Sequence, residues 1–114
     1  MRDDGKIDYV ELPGGDLPAT KDFYNQAFGW RFTDYGPTYA AFDESGLDGG
    51  FQADPAEAPA APLVVIFAKD LEAMLAKVTA AGGLIVKPIF SFPGGRRFHF
   101  RDPSGNELAA FSEG

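Results

Sequence analysis

An α+β fold built from two tandem βαβββ modules is predicted by three observations. Strand-like and helix-like segments follow one another as strand, helix and three strands, and that order then repeats. Asp16 and Asp70, Leu17 and Leu71, Ala19 and Ala73, Ala27 and Ala81, and Gly29 and Gly83 each lie 54 positions apart. Asp43 and Asp102, Ser45 and Ser104, and Gly46 and Gly105 each lie 59 apart, so a five-residue insertion in Pro88 to Gly95 separates two ungapped blocks. The matches fall on caps and turns, where backbone chemistry restricts the residue type.

Lys6 to Leu12 alternates as a strand does, with Ile7, Tyr9 and Glu11 on one side and Asp8, Val10 and Leu12 on the other. Pro13-Gly14-Gly15 ends it. Asp16 is placed as an N-cap and Pro18 suits the first helical turn, where an N–H would lack a partner. Leu17, Phe23, Ala27 and Phe28 give the buried stripe of this helix, and Gly29 ends it in a left-handed conformation. Strands follow at Trp30 to Tyr35, Tyr39 to Phe42 and Gly49 to Gln52, broken by Gly36-Pro37 and Asp43-Glu44-Ser45-Gly46.

Gln52 to Pro62 has three prolines and no periodicity, and reads as a stiff, extended connection. Leu63 to Ala68 is a nearly continuous apolar strand. Asp70 caps a second helix with the stripe Leu71, Met74, Leu75 and Val78, stopped by Gly82-Gly83. Leu84 to Lys87 is a strand and Pro88 to Gly95 a phenylalanine-bearing loop or bent edge. A hairpin closes the chain: Arg97 to Arg101 and Glu107 to Phe111 flank the turn residues Asp102-Pro103-Ser104-Gly105-Asn106. Alternation places Phe98, Phe100, Leu108 and Ala110 on an apolar face and Arg97, His99, Arg101, Glu107 and Ala109 on the other. The organisation is a single domain, 1–114, with modules at about 5–53 and about 63–113 and a linker at about 54–62.

The 114-residue chain is 45% apolar and 14% aromatic, enough for one core. It has no cysteine, hence no thiolate nucleophile or thiolate metal site, which fits a reducing compartment. Met1 to Lys6 is too polar for a signal peptide, and no apolar run approaches the roughly 18 residues of a membrane span. The expected address is cytoplasmic. A net charge of −7 repels phosphate backbones, and Arg96, Arg97 and Arg101 are too few for non-specific nucleic-acid binding.

Three stretches carry a family resemblance: Val10-Glu11-Leu12-Pro13 leading to Asp16, the helix end Phe23-Tyr24 to Phe28-Gly29-Trp30, and Phe98-His99-Phe100-Arg101-Asp102-Pro103-Ser104-Gly105-Asn106-Glu107-Leu108. With the repeat, they resemble the vicinal-oxygen-chelate superfamily of glyoxalase I, bleomycin-resistance proteins, fosfomycin-resistance enzymes and extradiol dioxygenases. The resemblance implies that the modules form a half-open β-barrel with helices outside, around a cavity that often holds a divalent metal. The modules pair within one chain or between two. Aligned on the caps and turns, the ligand positions of metal-using relatives fall at Tyr9, Gly50, Val64 and Ala109, none of which suits a hard or borderline cation. No bound metal is therefore expected. A one-residue slip in register would change that count and bring in Glu107.

In this register Tyr9, Glu11, Arg97, His99 and Glu107 line the cavity and are the candidate ligand-binding residues. His99, the only histidine, suits proton transfer near neutrality, and Glu11 becomes a base if burial raises its pKa; these two are the catalytic candidates. Against this stand structural roles: His99 held by Glu11 or Glu107, Glu11 neutralising Arg97 or His99, and Arg101 with Glu107 as a cross-strand ion pair. Tyr9, Trp30, Tyr35, Tyr39, Phe51, Phe90 and Phe92 are aromatics suited to a core or to stacking on a flat ligand. Phe90-Ser91-Phe92-Pro93-Gly94-Gly95 reads as a lid or dimer contact, and Gly94-Gly95 is not a phosphate loop, because a strand follows it.

Three functions remain open. The first is a metal-independent module that binds a small organic molecule. The second is a glyoxalase-like lyase, isomerase or dioxygenase-type enzyme using Glu11 or His99, with or without a divalent metal. The third is a non-catalytic dimeric interaction module. A homodimer is expected, because short half-barrels leave apolar edges that symmetric association covers.

Overall fold

Asp16 and Asp70 start the two helices in the same way. In the computed structural model, which describes residues 2–114, the Ala19 N–H donates to Asp16 Oδ1 at 3.0 Å and the Ala73 N–H to Asp70 Oδ1 at 3.0 Å. Each carboxylate satisfies a donor that the first helical turn leaves without a partner. The helices α1 (Leu17–Phe28) and α2 (Leu71–Ala80) follow. They end differently. Gly29, at φ 77°, closes α1 with its N–H on the Asn25 carbonyl at 2.9 Å. In α2 the left-handed residue is Gly82 (φ 100°), with Gly82 N–H on Thr79 O at 3.1 Å and Gly83 N–H on Val78 O at 2.8 Å. This is the paired, Schellman-type ending. The structural image of Gly29 is therefore Gly82, one residue before the Gly83 that the repeat suggests.

The strands are β1 (Ile7–Pro13), β2 (Arg31–Asp34), β3 (Tyr39–Asp43), β4 (Gly49–Gln52), β5 (Leu63–Phe67), β6 (Leu84–Phe92), β7 (Gly95–Arg101) and β8 (Glu107–Ser112). The order βαβββ thus occurs twice, and the α+β class with tandem modules is as expected. Contacts divide the chain into two units, Tyr9–Leu63 and the residues up to Asp8 together with Val64–Gly114. In the first, the strands run β2-β3-β4-β1, with β1 parallel to β4 and the other pairs antiparallel. The second repeats that plan as β6-β7-β8-β5, with β5 parallel to β8.

Each sheet packs one face under its own helix. In the first unit Leu17, Ala40, Phe42 and Phe51 form the core, joined by Leu12, Tyr24, Trp30, Phe32 and Ala53. Leu12 is on the helix side as its alternation requires. The expected α1 stripe is partly wrong: Phe23 and Phe28 are 58% and 62% exposed and Ala27 is exposed, whereas Tyr24 packs inward and stacks on Trp30 at 4.7 Å. At about 100° per residue, Tyr24 returns to the phase of Leu17, while Phe23 lies about 120° away from it. In the second unit Ala68, Leu71, Phe98 and Ala110 are the core, with Met74, Leu75, Val78, Ile85, Ile89 and Phe100 around it. The α2 stripe is as read from the sequence.

Between the alternatives for Pro88 to Gly95, the structure shows the bent edge. Strand β6 continues to Phe92 against β7, with irregular register between Ile85 and Lys87 and between Lys87 and Phe90. Pro88, which has no N–H, falls in the second irregular step, where no ladder bond is required of it. The 54–62 connection is less extended than its prolines suggest. Asp54 Oδ1 accepts from the Ala56 N–H at 3.0 Å, and the Asp54 carbonyl accepts from Glu57 and Ala58, closing a turn. No helix among the described residues is long and apolar enough to cross a membrane.

Candidate functional site

The β7–β8 hairpin takes its register from its turn. Asp102 Oδ1 accepts from the N–H groups of Ser104 and Asn106, each at 2.9 Å, and Oδ2 accepts from the Asn106 side chain at 3.0 Å. These bonds, the Asn106 side chain first, hold the Asp102 carboxyl below its usual range. The turn places Arg101 opposite Glu107, His99 opposite Ala109 and Arg97 opposite Phe111. Phe98 and Ala110 face the core, so Arg97, His99, Arg101 and Glu107 share the face turned away from α2.

His99 is 4% exposed, and its Nδ1 lies 2.9 Å from Glu107 Oε2. Glu107 reaches it diagonally across the strand pair while Oε1 lies 3.6 Å from Arg101 Nη2. Burial pushes the His99 pKa down; the hydrogen bond to Glu107 opposes this, and the charges of Arg97 and Lys87 add to the lowering. The imidazole is therefore neutral near pH 7, with Nδ1–H donating to the carboxylate. That tautomer leaves a lone pair on Nε2, which is buried and has no hydrogen-bond partner among the described residues. A buried acceptor of this kind can receive an O–H or N–H from a ligand, take up a proton, or ligate a metal.

Arg97 is flanked by aromatic rings, with Cζ 5.4 Å from the Phe90 centroid and 5.2 Å from the Phe92 centroid. Phe90 also lies 5.8 Å from the His99 ring, and Phe92 6.0 Å from Phe111. The two phenylalanines read as a lid or dimer contact thus stand on β6 and pack against Arg97. Cation–π contact of this geometry holds the guanidinium in place.

In the other unit, Tyr9 and Glu11 stand on the face of β1 away from α1, opposite in phase to Leu12. Glu11 is 6% exposed and pairs with Gly50 of β4. The Tyr9 hydroxyl is hydrogen-bonded to that of Tyr39. Burial raises the Tyr9 pKa; the bond to Tyr39 opposes this, and the charges of Glu11 and Asp48 add to the rise. Tyr39, one of the aromatics suited to a core or to stacking, thus joins Tyr9 on this face. It stands two residues before Ala41, which pairs with Gly50, and so lies diagonal to Gly50 on the same face. The structure thus assembles Arg97, His99 and Glu107 in one unit and Tyr9 with Glu11 in the other.

One ligand position needs correction. In β5, Val64 pairs with Leu108 and Val65 with Ala109, so Val65 shares the His99 face and Val64 the opposite one. Both valines lack a donor atom, and no group of three His, Cys, Asp or Glu side chains among the described residues could hold a metal ion. The side chains at the inherited positions do not fit a divalent cation.

The sequence matches the glyoxalase/bleomycin resistance protein/dioxygenase superfamily over residues 6–110. No curated protein matches it significantly. Among solved structures it is similar to methylmalonyl-CoA epimerase from Mycobacterium tuberculosis (TM-score 0.70, 15% identity, 96% of this chain and 88% of that one). It is similar to the Mn(II)-bound glyoxalase from Novosphingobium aromaticivorans (TM-score 0.68, 21% identity), covering 99% of this chain but 40% of that one. A glyoxalase/bleomycin resistance protein/dioxygenase superfamily member from Vibrio splendidus 12B01 is also similar (TM-score 0.69, 14% identity, 95% and 98%). At these identities the structural likeness speaks for the fold, and the match over residues 6–110 for the family: the chain belongs to the glyoxalase/bleomycin resistance protein/dioxygenase superfamily.

Proposed function

We propose that this protein binds a small organic molecule without a resident metal, and that His99 Nε2 accepts a hydrogen bond from it. The observation that carries the reading is the buried imidazole whose Nδ1 is engaged by Glu107 and whose Nε2 has no partner among the described residues. Leaving such an acceptor dry is costly, and a ligand donor removes the cost. Glu107 orients the ring, and Arg97, held against Phe90 and Phe92, sets a fixed cation on the same face. Tyr9 and Glu11, grouped in the other unit, are proposed as ligand contacts there. The protein is proposed to act as a cytoplasmic homodimer, with exposed Phe23, Phe28, Leu84 and Val86 supplying apolar surface for association.

A thermal-shift screen of small carbonyl compounds, phenols and alcohols on the purified chain tests the reading. Stabilising compounds are expected to bind about tenfold more weakly to His99→Ala, the loss of one buried hydrogen bond. Hits that ignore both His99→Ala and Glu11→Ala overturn it. A second reading, a lyase, isomerase or dioxygenase-type enzyme, draws support from the same neutral imidazole, which can act as a general base. The likeness to an epimerase makes isomerisation its first form. Deuterium incorporation from D2O into a bound hit, abolished by His99→Ala, separates this reading from binding alone.

A further inference from the structure

We infer that the Tyr39 phenol fills the place from which a side chain on β4 at position 50 would project, so that this inherited ligand position is closed by packing as well as by the lack of a donor. The inference deepens the metal-free part of the proposal above and does not depend on His99. Gly50 is buried, and a Cβ built there would lie 2.5 Å from Tyr39 Oη, 2.6 Å from Cζ and 2.7 Å from Cε1. Ordinary contact between such atoms begins about 1 Å further out. The obstacle is the end of a rigid ring, and its hydroxyl is bonded to Tyr9 on β1.

The neighbouring glycine completes the arrangement. A Cβ at Gly49 would run into the Phe42 ring and the Val10 carbonyl. Phe42 and Tyr39 both come from β3, one from the helix side and one from the other face, so the Gly49-Gly50 pair lets two aromatic rings close over β4. In the second unit the matching residues of β8 are Leu108 and Ala109, and the residue in the place of Tyr39 is Arg97. The phenols make poor substitutes for the missing ligand. A phenol hydroxyl is a poor ligand for a hard or borderline divalent cation, which favours imidazole and carboxylate donors.

The test uses the full chain. Gly50→Ala is expected to lower the melting temperature by about 5 °C or more, and Tyr39→Ala in the same chain to remove most of that loss. Should Gly50→Ala fail to fold, recovery of folding in the double variant is the same result. Gly50→Ala as stable as the original chain, or losses that simply add, overturns the inference. Equilibrium dialysis against Mn2+, Ni2+ and Zn2+, read by mass spectrometry, is expected to leave no stoichiometric ion. An ion held one per chain and released by Tyr39→Ala overturns both this inference and the metal-free reading. Additive losses with no ion bound overturn the inference alone.

Discussion

The two modules share a strand order, a pair of aspartate caps and a helix-covered core, yet the faces of their sheets turned away from the helices carry different chemistry. Register makes the correspondence explicit. Glu11 beside Gly50 answers to Val65 beside Ala109, Ala41 opposite Gly50 to His99 opposite Ala109, and Tyr39 to Arg97. One module therefore presents a carboxylate and two phenols where the other presents a guanidinium, an imidazole and the glutamate that holds it. The core is divided differently too: Ala40 on β3 faces Phe51 on β4, whereas Phe98 on β7 faces Ala110 on β8. Each pair sums to one large and one small side chain, so packing constrains the pair and not its members. What the backbone needs is repeated, and what the face away from the helix carries is not.

The largest expected effect tests that exchange. Phe98 is fully buried and Phe51 nearly so, and Phe98→Ala and Phe51→Ala should each cost about 3–5 kcal/mol in urea unfolding. If one costs under about 1 kcal/mol, the two cores are not equivalent. Next come the caps: Asp16→Ala and Asp70→Ala are each expected to cost about 1 kcal/mol, and unequal losses would show that matching geometry hides different helix contributions. The third concerns His99 alone. Its folded pKa lies below the ordinary 6.5, so on acidification the unfolded chain takes up this proton first. Stability from this group is full above that ordinary value and falls as pH is lowered toward the folded value, by at most about 1.4 kcal/mol per pH unit. His99→Asn should remove that share of the slope in denaturation followed from pH 8 to 5; an unchanged slope would assign it to other groups. The smallest effect is Arg101→Ala. Its pair with Glu107 is exposed and 3.6 Å long, and the loss should stay within about 0.5 kcal/mol.

How far the sequence could be read follows the same division. Caps, helix starts and the β7–β8 register were legible because Asp16, Asp70 and the Asp102 turn allow few backbone geometries. Phe23 misled because α1 carries aromatics on two phases, and only counting from Leu17 separates Tyr24 from Phe23. Val64 and Val65 could not be told apart, since an all-apolar strand has no alternation to give its phase. Pro88 and the glycines after it suggested a break because they disfavour regular ladders, whereas the structure absorbs the proline in a bulge. The Tyr9–Tyr39 bond joins residues 30 apart, and no local pattern announces it. His99 with Glu107 was legible as one of two candidate pairings, and the turn geometry selects it.

The bend in β6 bears on how the protein survives at high concentration. A straight nine-residue border with Leu84 and Val86 exposed would offer neighbouring molecules a template for adding strand upon strand. With a proline and two breaks in pairing along its length, that border cannot present a continuous row of donors and acceptors, so self-propagating stacking of chains is discouraged at the place where it would otherwise begin.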